Sequence, residues 1–202
     1  MKKLAIYLFA VALVFAVAGN VGATLITITP DTTLQWSGNE TAELGATGVA
    51  SKVGYSGTLH EYYKRNVDDT FDTGLFNLYY NTTFDNSPDD PADATITWVD
   101  GTNPFISGDP LYLHVKDGGQ TPAWYIFDLT ELYISGYSPY YSWNGQDTLF
   151  LQGFWPDQGA ISHVAIYGSN PVPEPATLLL LGSGLIGLAG IGRKKIKKAR
   201  SS

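Results

Sequence analysis

Asp85, Asn86, Ser87, Asp89, Asp90 and Asp93, with Asp68, Asp69 and Asp72 upstream, gather hard oxygen donors in a single stretch of chain. A calcium ion takes about six to eight such oxygens. Among them Asp85, Asp89, Asp90 and Asp93 are the candidate ligands, although neither an EF-hand nor a nonapeptide spacing is present. The same residues also suit a solvated, turn-rich acidic loop. No other cofactor is implied.

A second group is aromatic. Tyr137, Tyr140, Tyr141 and Trp143 stand beside Asn144, Gln146 and Asp147. Flat rings next to planar hydrogen-bonding groups are what a sugar-binding platform needs, so Tyr140, Tyr141 and Trp143 are candidate glycan contacts. Equally, Tyr and Trp pack well on half-buried strands.

Catalytic arrangements are thin. His60, His114 and His163 are widely separated, with no pair at metal-ligand spacing, and His114 falls on the strand face opposite Leu113. That pattern suits a satisfied or exposed histidine. The one Gly-Ser-Gly, at 182–184, lies in an apolar run rather than at a strand-to-helix elbow. Asp128, Glu131 or Glu61 could pair for glycoside hydrolysis, but in so acidic a chain some pair can always be drawn, and only separation in space decides. The expectation is a protein without catalytic activity.

The elements that must position these groups read as strands. From Thr24 onward, Thr, Tyr, Val, Ile and Phe alternate with period two between turn signals. Residues 25–29, 75–83 (Phe76, Leu78 and Tyr80 on one face) and 94–99 (Ile96 with Trp98) are candidate strands. Leu111, Leu113 and Val115 share a face, and Asp117-Gly118-Gly119 turns that run back into 123–128, the clearest hairpin in the chain. Runs at 132–136, 148–154 and 161–167, with weaker ones at 33–36 and 56–62, bring the total to about nine or ten, the number of a two-sheet sandwich. No convincing amphipathic helix interrupts them. The expected fold is all-β, a jelly-roll-like β-sandwich over 24–168, followed by a linker at 169–172.

Cysteine is absent, so no disulfide staples this fold and a hydrophobic core must hold it. Residues 24–172 hold 18 acids against Lys52, Lys64, Arg65 and Lys116, a net charge of −14, twice the −7 of the whole chain. Nucleic-acid binding is excluded by the lack of a basic patch.

The two ends follow another logic. Lys2 and Lys3, an apolar stretch at 4–18 and the small residues Gly22 and Ala23 form a secretory signal peptide over 1–23. Cleavage is expected after Ala23, with Ala18 as the alternative. At the other end, Pro173-Glu174-Pro175 precedes an apolar run at 176–191, and six cations follow from Arg193 to Arg200. As a helix that run is roughly 24 Å long, short against a hydrocarbon core of about 30 Å. Snorkelling by Arg193 and Lys194 lets 176–192 serve as a loose transmembrane helix. The basic tail, 193–202, then stays in the cytoplasm and the domain lies outside. Pro173 and Pro175 keep the backbone before the span extended and open to an enzyme.

Pro173-Glu174-Pro175, the following Ala-Thr-Leu-Leu-Leu-Leu-Gly-Ser-Gly and the basic tail resemble the PEP-CTERM sorting signal of bacterial surface and exopolysaccharide-associated proteins. The resemblance covers 173–202. It implies that Pro173, Glu174 and Pro175 are recognised by an exosortase, an integral-membrane enzyme that cleaves near them and releases or re-anchors the protein. Residues 159–168 are similar to the last strand of ectodomains in that group. The implied partners are thus an exosortase, the membrane before processing and an extracellular polysaccharide.

Overall fold

A computed structural model describes residues 23–169 apart from 34, 69–70, 86–89, 100–104, 118, 134–139 and 156–158. Alternating apolar and polar residues become strands through most of that length: β1 (Leu25–Ile28), β2 (Gln35–Gly38), β3 (His60–Asn66), β4 (Tyr80–Phe84), β5 (Ala94–Trp98), β6 (Leu111–Lys116), β7 (Trp124–Asp128), β8 (Thr148–Leu151) and β9 (His163–Gly168). They form a four-stranded sheet in the order β1-β8-β5-β4 and a five-stranded sheet in the order β2-β7-β6-β9-β3. The all-β sandwich expected from the sequence is therefore present. The expected hairpin is there too, with Leu113 opposite Phe127 and Val115 opposite Tyr125. β1 joins β8 in parallel, and β3 carries a bulge between Glu61 and Tyr63.

Between the sheets lie Ile26, Ile28, Ile96, Leu149 and Leu151 from one side and Leu113, Val115, Phe127, Val164 and Ile166 from the other, all essentially without solvent exposure. Their burial, at about 1.5–3 kcal/mol for each large side chain, supplies the core that a cysteine-free domain requires.

Three sequence expectations are corrected. A helix is present, α1 (Gly45–Val53), in a segment whose Gly45, Gly48 and Ser51 have weak helix propensity. Packing makes it: Val49 and Ala50 bury against Leu59, Tyr112, Trp124, Ile126, Ala165 and Tyr167, on the outer face of the five-stranded sheet. It stops at Gly54, whose φ of 73° is the left-handed cap that a Cβ disfavours. Because α1 covers that face, every residue of β6 and β9 is buried. Second, Leu78 does not point inward with Phe76 and Tyr80. The strand starts only at Tyr80, and Leu78 sits in a turn with 77% of its surface exposed. Third, the described part of the run expected at 132–136 forms a single bridge, Leu132 to Tyr141.

Both ends of the domain lie together. Gly168 pairs with Leu111, whose carbonyl accepts the Leu129 N–H, and the Leu129 carbonyl accepts the Trp143 N–H. The Trp143 indole in turn reaches the carbonyl of Asp147, whose carboxylate holds the Thr24 N–H at 2.6 Å. The loops that follow Ile28, Lys116 and Leu151 therefore crown the opposite end. Among the described residues no helix is long and apolar enough to cross a membrane. The expected signal peptide before Ala23, the sorting motif, the span and the basic tail lie outside the described residues.

Candidate functional site

The structure does not bring the sequence-predicted aromatic group onto one face. Trp143 is 3% exposed, its ring packs 6.1 Å from that of Tyr80, and its indole N–H donates to the Asp147 carbonyl at 2.8 Å. Tyr141 lies against the core and donates its hydroxyl to Asp147. Only Tyr140 among the three stands in solvent, and Tyr137 lies outside the described residues. A platform that needs exposed ring faces is not made from these residues, because the core claims two of them.

The candidate calcium ligands serve the backbone. Asp85 accepts the Asp93 N–H at 2.8 Å, and Asp93 accepts the Gly153 N–H at 2.7 Å. Asp90 is exposed, and Asp89 lies outside the described residues. Upstream, Asp72 meets Arg65 and Tyr63. Among the described residues no group of three or more His, Asp or Glu is placed to hold a metal ion. Of the acids drawn for glycoside hydrolysis, Asp128 and Glu61 are also parted. Asp128, Tyr112, Tyr167 and Glu61 form one row across β7, β6, β9 and β3. Three strand spacings separate Asp128 from Glu61, about 14 Å, beyond the window of roughly 5–9.5 Å that either glycosidase geometry requires.

The histidines, distant in sequence, meet in space. His114 and His163 occupy diagonal positions on β6 and β9, their rings 5.4 Å apart beneath the helix-covered face. His114 is not the satisfied or exposed residue expected: both of its nitrogens, like Nε2 of His163, are buried without a protein partner. Burial, with the neighbouring His163 and Lys116, pushes the His114 pKa down to about 3. Burial and Lys64 push that of His163 down to about 4, against an opposing pull from Glu43. Both rings are neutral at physiological pH.

Among the described residues, clefts open at two places that matter for function. One, of about 560 Å³, is lined by Trp36, Asn39, Glu40, Lys52 and Trp124. It is largely spoken for. Lys52 pairs with Glu40 and places its ammonium 5.6 Å over the Trp124 ring, while the Trp124 indole donates to Glu40.

The other cleft, of about 500 Å³, lies at the crown. Three loops build it. Asp31 comes from the loop after β1, Pro122 from the β6–β7 turn, and Gln152 and Trp155 from the segment after β8; Tyr125 rises from β7. That last segment is pinned residue by residue: the N–H of Gln152 donates to the Ile28 carbonyl, that of Gly153 to Asp93, and that of Phe154 to the Ala92 carbonyl. Trp155 then takes a φ of +50°, a conformation costing roughly 1–2 kcal/mol for a residue with a Cβ. Its indole N–H donates to the Pro122 carbonyl at 2.8 Å, which fixes the ring at the cleft wall. Tyr125 lies 5.4 Å from it, ring to ring. Burial first, and then the Asp31 charge, push the Tyr125 pKa up. Sequence reading missed this group because it took 148–154 as one strand; the signal was Gly153, where the strand has to end.

No curated protein and no solved structure matches the chain. A family profile does match its carboxyl-terminal part, beginning two residues beyond the last described residue, Ser169. Over residues 171–194 the chain carries the PEP-CTERM protein-sorting motif, which implies export, sorting to the cell surface and processing by exosortase, a membrane enzyme.

Proposed function

We propose that this is a non-catalytic protein of the cell surface or extracellular matrix, delivered by its sorting signal and acting structurally or by adhesion. The observation that carries the reading is the sorting motif at 171–194, joined to β9 with almost no intervening chain. In this reading 1–23 is a leader removed after Ala23, and the precursor is held by 176–192 until exosortase acts at Pro173, Glu174 and Pro175.

Several acids of the domain support a structural role. Asp117 accepts N–H groups from Gly119, Gln120 and Ala160 and so ties two loops together. Asp128 holds both the N–H and the hydroxyl of Thr130. Asp93 and Asp147 do equivalent work elsewhere. β1 beside β8 and β2 beside β7, nested in opposite sheets, support a jelly-roll-like arrangement with one parallel pair.

Deleting 173–202 tests the proposal. The truncated protein should appear soluble in the periplasm or medium; unchanged surface retention refutes the reading. Mass spectrometry of the mature protein should place its first residue at Thr24 and its last near the Pro-Glu-Pro motif.

A further inference from the structure

We propose that the crown cleft formed by Asp31, Pro122, Tyr125, Gln152 and Trp155 is a binding site for a neutral saccharide chain. This goes beyond surface delivery, which would hold whether or not the cleft is occupied.

Four observations converge on it. The cleft is lined by the partly buried rings of Trp155 and Tyr125, which also pack against the core, beside exposed Asp31 and Gln152. An aromatic face is the negative pole of the ring quadrupole and attracts the weakly positive C–H groups that line one side of a pyranose. A carboxylate and an amide at the rim can take the hydroxyls that a sugar turns outward. The lining is also selective by charge. Among its described residues Asp31 is the single ionised side chain and no cation is present, on a domain of net charge −14, which disfavours phosphate, sulfate and uronate ligands.

Preorganisation is the third observation. Trp155 is a bulky residue held at φ +50° by an indole hydrogen bond and by three successive backbone bonds before it, and strain of that kind gathers where a side chain must be aimed. The fourth is orientation. Thr24 and Ser169 share the end of the sandwich opposite the cleft, so on the proposed reading, in which 176–192 holds the precursor in the membrane, the cleft points outward toward whatever surrounds the cell.

The test uses the full chain in mild detergent, titrated with neutral hexasaccharides of glucose, mannose, galactose and N-acetylglucosamine while tryptophan fluorescence is followed. At least one should bind. Trp155→Ala should weaken that binding by about tenfold or more, the scale of a central aromatic anchor. Because that variant could fold poorly, the exposed pair Asp31→Ala and Gln152→Ala is tested together and should weaken binding by at least about threefold with the melting temperature unchanged. Trp36→Ala, in the other cleft, should leave it intact. No binding by any of the four sugars overturns the proposal, as does binding that survives in the Asp31/Gln152 double variant. A preference for polygalacturonate or for peptides overturns it as well. Surface retention of Trp155→Ala cells reports separately on sorting.

Discussion

His114 and His163, 49 residues apart in the chain, meet edge to face with ring centroids 5.4 Å apart on the outer face of the five-stranded sheet. Lys64 from β3, Lys116 from β6 and Glu43 ahead of α1 are the charged groups that bear on the pair, and Trp124 and Tyr167 contact the ring of His114. A buried imidazole without a partner takes a proton only at a large cost.

Stability should therefore fall in acid. In the unfolded chain both histidines titrate near pH 6.5, whereas in the fold they do so at about 3 and about 4. Between those limits the unfolded state binds more protons, so stability is full above about pH 6.5 and declines toward pH 4. Each histidine should contribute a slope of up to about 1.4 kcal/mol per pH unit in urea titrations. In a His114→Leu/His163→Leu variant that window should flatten; an unchanged slope would assign the acid sensitivity to other groups.

Trp143→Ala should behave as a core truncation. The loss expected is about 3–5 kcal/mol, read as a lower urea midpoint with little change in m. Tyr140→Ala, at a residue half exposed, should shift the midpoint hardly at all.

The Tyr80 hydroxyl accepts the Ile106 N–H at 2.8 Å and donates to the Gly145 carbonyl at 2.5 Å. Tyr80→Phe strands both buried groups and should cost roughly 2–4 kcal/mol. Gly145→Ala should be worse. Its φ is +79°, and a Cβ there would come within 1.9 Å of the Ile106 carbonyl oxygen, so expression of soluble protein should drop sharply.

Removal of the proposed leader after Ala23 would turn the Thr24 amide into an α-ammonium group 2.6 Å from the buried Asp147 carboxylate. A charged donor strengthens that bond, by about 1–2 kcal/mol. Protein beginning at Thr24 should melt a few degrees above protein that retains Met-Ala ahead of it. Asp147→Asn should erase the difference.

Strands were legible where one face meets a core and the other meets water. β1 and β5 alternate cleanly, and the hairpin announces itself through Asp117 and its glycines. The outer face of β6 and β9 misled for a physical reason: Tyr112, His114 and Lys116 alternate with Leu and Val as solvent-facing residues would, yet a helix of poor intrinsic propensity lies over them. Propensity cannot reveal a helix that exists because of what it covers. The cleft was illegible for a related reason. Asp31, Tyr125 and Trp155 belong to three segments that only the sheet order brings together, whereas Tyr140, Tyr141 and Trp143 are neighbours in sequence that the fold sends in different directions.

β9, the strand that precedes the sorting motif, is bonded on both flanks, to β6 and to β3. Were a polymer held at the proposed crown site while the chain beyond Ser169 is anchored, the tension would run along that strand's axis, across hydrogen bonds that lie perpendicular to it. Such a load shears all the rungs at once instead of unzipping them singly. An interior strand loaded in this way resists extraction better than an edge strand such as β2 or β3 would.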